Sequence, residues 1–115
     1  MEIRIKRAYE NPDEDDGCRI LVDRLWPRGI SKERAKVDYW AKELSPSNEL
    51  RRWYNHDPNK WTEFKNRYFA ELNAKPEQLK ELAAYLQKET VTFVYSSKEE
   101  QLNNAVALKE FVASL

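Results

Sequence analysis

The chain has 115 residues, a length suited to one domain over residues 1–115 that folds without disulfide or metal staples. Its 20 basic residues balance its 20 acidic residues, which excludes non-specific nucleic-acid binding through global charge. The lone cysteine, Cys18, excludes an intramolecular disulfide and is expected to be an inert, half-buried thiol. The chain has only one cysteine and one histidine, fewer than the four Cys or His ligands of a structural zinc site. We therefore expect no metal and no cofactor.

The sequence also carries no pattern typical of membrane insertion or export. No apolar stretch approaches the ~18 residues of a membrane span. The first ten residues, "MEIRIKRAYE", lack the apolar core of a signal peptide. We therefore expect a reduced, soluble, cytoplasmic protein with no membrane partner, and the oligomeric state is left open.

The first forty residues are predicted to form strands joined by loops. "EIRIKR" alternates apolar and basic residues, which indicates a half-buried strand near a sheet edge. "NPDEDDG" is predicted to be a solvated acidic loop, since it lacks the ligand spacing of a calcium loop. "RILVD" is typical of a central strand covered on both faces. Ser31 is expected to cap a short helix within "PRGISKERA", and "VDYW" is predicted to be a third short strand.

Three helices are predicted between residues 45 and 88. The first is capped by Ser45, with Pro46 at its first position, and the second is capped by Asp57, with Pro58 at its first position. The third starts near Pro76. Their apolar stripes are Leu50, Trp53 and Tyr54; Trp61, Phe64, Tyr68 and Leu72; and Leu79, Leu82, Ala83 and Leu86.

The chain is predicted to end with a buried strand and a helix. "TVTFVY" is the strand, and the helix follows at once, because Ser97 and Glu100 have the spacing of a capping box. Its inward residues are expected to be Leu102, Ala105, Val106 and Val112. Strands alternating with helices predict an α/β protein: a small layered sandwich with a mostly parallel central sheet and a helical cap.

Two loops that leave the predicted buried strands at their carboxyl ends form a candidate ligand site, because ligands bind at this end of parallel sheets. Arg24 and Arg28 supply guanidinium groups suited to phosphate or carboxylate, and Lys98 adds a mobile charge. The amides at the start of the last helix are expected to complete the anion site. The candidate ligand-binding residues are Arg24, Trp26, Arg28, Tyr95, Ser96, Ser97 and Lys98.

Each of these residues has a structural alternative. Arg24 and Arg28 belong either to the ligand site or to a salt-bridge network with Asp23, and Trp26 packs either on the ligand or over the end of the sheet. If chemistry occurs, His56 and Asp23 are the only candidate proton carriers, and His56 alternatively caps a helix. The bases and aromatics of "LRRWYNHDPNKWTEFKNRY" indicate either a nucleic-acid surface or, at helical spacing, a core stripe with a solvated face.

Three segments together resemble the YeaO-like group of bacterial proteins, part of a large domain-of-unknown-function family: "DRLWPRG", "ELSPSNELRRWYNHDPNKWTEFKNRYFAEL" and "VTFVYSSKEEQLNNAVAL". The resemblance implies a compact, Rossmann-like layered sheet and no established activity. The matching residues are Asp23, Arg24, Trp26, Pro27, Arg28, Gly29, Pro46, Ser47, Leu50, Arg51, Trp53, His56, Asp57, Trp61, Phe64, Tyr68, Leu72, Tyr95, Lys98, Asn103 or Asn104, and Ala105.

The same resemblance implies a difference from longer relatives. They carry a cysteine after the last strand, where this chain has Tyr95, and a Cys-His-Arg triplet that this chain lacks. Thiol chemistry is therefore not carried over to it. We expect an uncharacterised protein that binds a small phosphate- or carboxylate-bearing ligand at the strand ends, with catalysis left open. The alternative is a non-catalytic module that binds nucleic acid or protein.

Overall fold

The computed structural model describes residues 2–115 as a four-stranded sheet flanked by helices. The strands are β1 (Glu2–Arg7), β2 (Cys18–Leu21), β3 (Tyr39–Trp40) and β4 (Thr90–Tyr95). The α-helices are α1 (Lys32–Ala35), α2 (Asn48–Tyr54), α3 (Trp61–Asn73), α4 (Pro76–Tyr85) and α5 (Asn104–Ala113). Among the residues described, no helix is long and apolar enough to cross a bilayer.

The sheet is parallel throughout, with the strand order β1-β4-β2-β3. The predicted α/β class is confirmed, as are the edge position of β1 and the central position of β2. Phe93 of β4 lies opposite Ile5 on one side and Ile20 on the other. The carboxyl ends of β1, β4 and β2 therefore lie side by side at one end of the sheet.

The main core lies between one face of the sheet and the helices. Alternation along β4 directs Val91, Phe93 and Tyr95 to this face, where they pack with buried residues of α2, α3, α4 and α5. Tyr68 of α3 is fully buried there and donates its hydroxyl to the Leu44 carbonyl at 2.6 Å, which satisfies the phenol inside the apolar layer. The predicted helical cap thus lies directly on the sheet.

The opposite face of the sheet is covered by loops and a buried ion network. Asp16 was expected in a solvated acidic loop, but it is only 5% exposed, so that expectation is wrong for this residue. Its carboxylate accepts hydrogen bonds from Arg19 Nη1 at 2.6 Å, Lys6 Nζ at 3.2 Å and the Asp13 amide at 3.0 Å. Arg19 Nε donates to the Ala35 carbonyl at 2.9 Å. The network fastens the acidic turn and α1 to the sheet.

A glycine is required where the acidic turn enters β2. Gly17 has φ +64°, and a Cβ at this position would collide with the Thr90 carbonyl. The next residue, Cys18, is 8% exposed, more buried than the half-buried thiol expected. Burial raises the pKa of this thiol, which keeps it protonated and agrees with the expected inertness.

Helix α2 begins later than predicted, because Ser47 is its N-cap instead of Ser45. Ser47 donates its hydroxyl to the Glu71 carboxylate at 2.6 Å, and its own amide donates to the same carboxylate at 2.9 Å. Ser45 instead donates to the Lys42 carbonyl at 2.6 Å and closes the preceding turn. Pro46 consequently lies before the helix, and a tertiary contact from α3 selects between two good capping residues.

The next two helices largely follow their predicted patterns. Asp57 caps as expected, but it caps a single 3-10 turn, and α3 starts after that turn at Trp61. Leu82 is the buried anchor of α4, whereas Ala83 is exposed, so its predicted place in the stripe is wrong. Leu79 and Leu86 are partly buried against the same core.

We predict that Asp16→Asn lowers the free energy of unfolding at neutral pH by about 3 kcal/mol, because Arg19 stays buried without its carboxylate. Burial by itself raises the pKa of Asp16. The hydrogen bonds from the Asp13 amide, Lys6 and Arg19 lower it by more than burial raises it, so the pKa of Asp16 lies below its ordinary value. The stability that this carboxylate contributes is therefore present at neutral pH and is lost as pH falls below about 4.

Urea unfolding between about pH 7 and about pH 3 tests this prediction. The wild type should lose stability more steeply with acid than Asp16→Asn. The matched control is Asp15→Asn, on the same turn but exposed, which should behave like the wild type. Equal acid dependence in the wild type and Asp16→Asn would contradict the prediction.

Candidate anion-binding cleft

A cleft of about 1300 Å³ opens at the end of the sheet where β1, β4 and β2 terminate. One wall is the β2 loop, residues 23–28, and a second is the β4 loop, residues 96–103. The third wall is α2 with the two residues that follow it, and Tyr9, just beyond β1, completes the rim. The parallel topology therefore gathers segments that are far apart in sequence.

Most of the sequence-predicted site residues line this cleft together. They are Asp23, Arg24, Trp26, Arg28, His56, Ser96, Ser97 and Lys98. Tyr95 does not line it. That side chain points into the main core at 2% exposure, and burial raises the pKa of its hydroxyl. The alternation of β4 separates Tyr95 from the serines that follow it.

Asp23 joins the two loop walls. Its Oδ2 accepts hydrogen bonds from the Ser96 amide at 2.8 Å and the Ser96 hydroxyl at 2.6 Å, and its Oδ1 accepts from Asn104 Nδ2 at 3.1 Å. The same Asn104 amide group donates to the Val22 carbonyl at 3.0 Å. The carboxylate thus connects the end of β2 to the end of β4 and to the start of α5, and its oxygens are occupied by structural donors.

Trp26 stiffens the β2 loop as well as lining the cleft. Its indole N–H donates to the Ile30 carbonyl at 2.6 Å, and its ring meets Trp40 edge-on, with centroids 5.5 Å apart. Trp40 in turn donates to the Asp23 carbonyl at 2.7 Å. Both indoles cover the small apolar cluster on the second face of the sheet. Most contacts of Trp26 are therefore those of a residue that packs over the sheet and not of one that waits for a ligand.

The cleft concentrates positive charge in a chain whose net charge is zero. Of its two carboxylates, Asp23 is occupied as described, and Glu99 accepts the Gln101 and Leu102 amides at 2.9 and 3.1 Å. These backbone hydrogen bonds lower the pKa of Glu99 below its ordinary value. Within residues 2–115, no salt bridge involves any of the five basic side chains of the cleft. They are Arg24, Arg28, Arg51, Arg52 and Lys98.

Arg24 is the least satisfied of these five. Its Nε is closed to solvent and has no hydrogen-bond partner in the part of the chain that the structure describes. A buried donor left without a partner costs about 1–3 kcal/mol, and more when it is charged. Arg24 thus has a buried donor without a partner among the described residues, as does Arg19 at its Nη2.

The last helix begins later than predicted, at Asn104, so the expected capping box of Ser97 and Glu100 is wrong. Ser97 Oγ instead accepts the Glu99 amide at 3.0 Å, and Glu99 satisfies the next two amides. These local turns use up the donors that a helix would need, and Asn103 becomes the cap by accepting the Val106 amide at 2.9 Å. Lys98 therefore lies in a loop and not in a first helical turn.

His56 lies exposed on the cleft wall, at the end of α2. Asn55, and not His56, closes the helix, since the Asn55 amide donates to the Arg51 carbonyl at 3.0 Å. Both residues have left-handed backbones, with φ +45° for Asn55 and +54° for His56. The alternative that His56 caps the helix is thus wrong, because Asn55 is the C-cap.

Among the cleft residues that the sequence does not assign to a site are Arg51, Arg52 and Tyr9. For Arg51 and Arg52 the sequence leaves a nucleic-acid surface and a solvated helix face as alternatives, and only the tertiary structure shows that both side chains line the cleft. Tyr9 follows β1, which was treated as an edge strand; its signal was that β1, too, ends in a loop at the carboxyl end of the sheet. Among the described residues, no group of three His, Cys, Asp or Glu side chains is arranged to hold a metal ion.

We predict that Asp23→Asn destabilises the protein by about 1–3 kcal/mol, since an amide NH₂ cannot accept the Ser96 or Asn104 hydrogen bonds. Amide hydrogen exchange should accelerate across residues 96–104, where the loop loses its anchor. Thermal unfolding and exchange mass spectrometry measure both effects. Glu33→Gln, an exposed change on α1, is the control. Unchanged exchange in residues 96–104 of Asp23→Asn would contradict the anchoring role.

Comparison with known proteins gives a family for the chain. A family profile described as "Inactive DUF488-N3 subclade" matches residues 2–115. The chain is 41% identical to the Escherichia coli protein named "Uncharacterized protein YeaO", over the full length of both. It is 40% identical to "Uncharacterized protein Mb3100c" of Mycobacterium bovis, over 96% of this chain and 92% of that one. No solved structure matches significantly. The chain belongs to the YeaO-like, inactive DUF488-N3 subclade of this domain-of-unknown-function family.

Proposed function

We propose that the protein binds a phosphate- or carboxylate-bearing ligand in the cleft and does not chemically transform it. The observation that carries this proposal is the set of five basic side chains on the cleft walls, none of which has a carboxylate partner within residues 2–115. These five outnumber the two carboxylates of the cleft, and a concave surface with an excess of positive charge focuses the electrostatic potential and attracts anions. An anionic ligand would offset this excess of positive charge.

The contrast with the buried ion network supports a ligand role for these arginines. Arg19, which is structural, forms a short ion pair with Asp16. Arg24 and Arg28 form none within the described residues, so the salt-bridge network considered for them with Asp23 is absent there. Arginines without internal partners, gathered in one cleft, are arranged as donors to a bound oxyanion.

The arrangement favours binding over catalysis. Asp23 holds three structural hydrogen bonds and is not free to move a proton. His56 is then the remaining candidate acid or base, on an exposed part of the wall. Tyr95, which by the resemblance stands where longer relatives carry a cysteine, is buried away from the cleft. The word "Inactive" in the family description agrees with a binding role.

We predict that pyrophosphate and citrate raise the melting temperature of the wild type. Ligand at a hundred times its Kd adds about 2.7 kcal/mol of stability. Arg24→Ala should weaken binding about ten-fold to a hundred-fold, because it removes charge-assisted hydrogen bonds. Arg24→Lys should recover only part of this loss, since a lysine keeps the charge but not the planar fork.

Calorimetric titration of the folded variants provides the measurement. The matched control is Arg34→Ala, which removes the same charge from an exposed position on α1 that does not line the cleft. Equal weakening in Arg34→Ala and Arg24→Ala would show that only net charge matters. No binding of either anion to the wild type would contradict the proposal.

A further inference from the structure

The cleft presents exposed apolar side chains beside its charges. Three large hydrophobic residues are exposed among those described: Tyr9 at 47%, Leu25 at 67% and Leu115 at 77%. Two of the three, Tyr9 and Leu25, line the cleft. An exposed aromatic ring on the wall of a basic cleft offers a flat surface to a ligand that carries both negative charge and a planar group.

Tyr9 lies beside Arg7, whose side chain is bonded to the β4 loop. The Arg7 guanidinium lies 5.3 Å from the centroid of the Tyr9 ring. Arg7 itself is fixed by donating to the Ser97 carbonyl at 2.8 Å and to the Ser96 carbonyl at 3.3 Å. The cation therefore supports one side of the ring from a fixed position, while nearly half of the residue stays open to solvent. The exposed part of the ring is available to stack on a planar group.

The basic side chains of the cleft are distributed over three walls. Arg24 and Arg28 lie on the β2 loop, Arg51 and Arg52 lie on α2, and Lys98 lies on the β4 loop. A small anion would contact only some of these side chains, whereas a longer ligand with several anionic groups could contact basic residues on all three walls. The cleft volume of about 1300 Å³ also exceeds the roughly 300–1000 Å³ of typical small-molecule pockets.

We infer that the ligand of the cleft is a single-stranded oligonucleotide, with its phosphates along the arginines and one base stacked on Tyr9. This inference rests on the proposed anion-binding function and names the class of anion. Single-stranded nucleic acid is bound by a basic groove combined with aromatic stacking platforms. A duplex hides the faces of its bases, and an acidic peptide has no planar group for Tyr9, so both fit the cleft less well.

The first experiment compares four probes by fluorescence anisotropy or competition: a labelled oligothymidylate of about eight nucleotides, its duplex with oligoadenylate, thymidine monophosphate, and a glutamate peptide of the same length. The single strand should bind most tightly. The slope of log K against log salt should be about −2 to −3.5, as expected for three to five phosphate contacts on a single strand.

The second experiment separates stacking from charge. Tyr9→Ala should weaken oligothymidylate binding about five-fold to a hundred-fold and leave the salt slope unchanged. Tyr9→Phe should bind like the wild type, because it keeps the aromatic ring that stacks. Arg52→Ala should reduce the magnitude of the salt slope by about 0.7. Arg34→Ala, outside the cleft, should change neither quantity.

The outcomes distinguish this inference from the proposed function. If pyrophosphate binds through Arg24 but the oligonucleotide binds no more tightly than thymidine monophosphate, the cleft is a small-anion site and the inference fails alone. Tighter binding of the duplex or of the glutamate peptide would overturn it in favour of that partner. If none of the anions binds, the inference and the proposed function fail together.

Discussion

The carboxylate of Asp23 is the interaction on which the shape of the cleft depends. It receives the amide and hydroxyl of Ser96 and the side chain of Asn104, and so joins the ends of two neighbouring strands to the start of the last helix. A fourth hydrogen bond to this residue comes from the Trp40 indole, which donates to the Asp23 backbone carbonyl. Because these donors fix both loops against each other, Arg24 and Lys98 border the same cavity rather than moving independently.

The protein uses its charges in two separate ways. On one face of the sheet, the buried carboxylate of Asp16 is paired with Arg19 and Lys6, so these charges serve the scaffold. In the cleft, five basic side chains outnumber two carboxylates, whose hydrogen-bond donors are neutral groups. A net charge of zero over the whole chain therefore hides a strongly basic concave surface, which total composition cannot reveal.

Much of the fold and half of the cleft were predictable because they depend on local patterns. Alternation predicted β1, the continuous apolar run predicted β2, and strand-end loops indicated Arg24, Arg28 and Lys98. The start of the last helix was mispredicted, since a good capping pattern at Ser97 competes with turns that are stabilised by Glu99. Tyr9 was missed because its role depends on β1 lying next to β4, which spacing along the chain does not encode.

The sequence by itself determined the α/β class, the buried strands and the basic loops at their carboxyl ends, because period and residue type act over a few neighbouring residues. Only the tertiary structure decided which charges became paired and which became free. Arg19 and Arg24 are only five residues apart, yet Arg19 is buried against Asp16, whereas Arg24 borders the cleft and has no carboxylate partner within residues 2–115. The reason is that ion pairing depends on distances in space, and the strand order sets these distances.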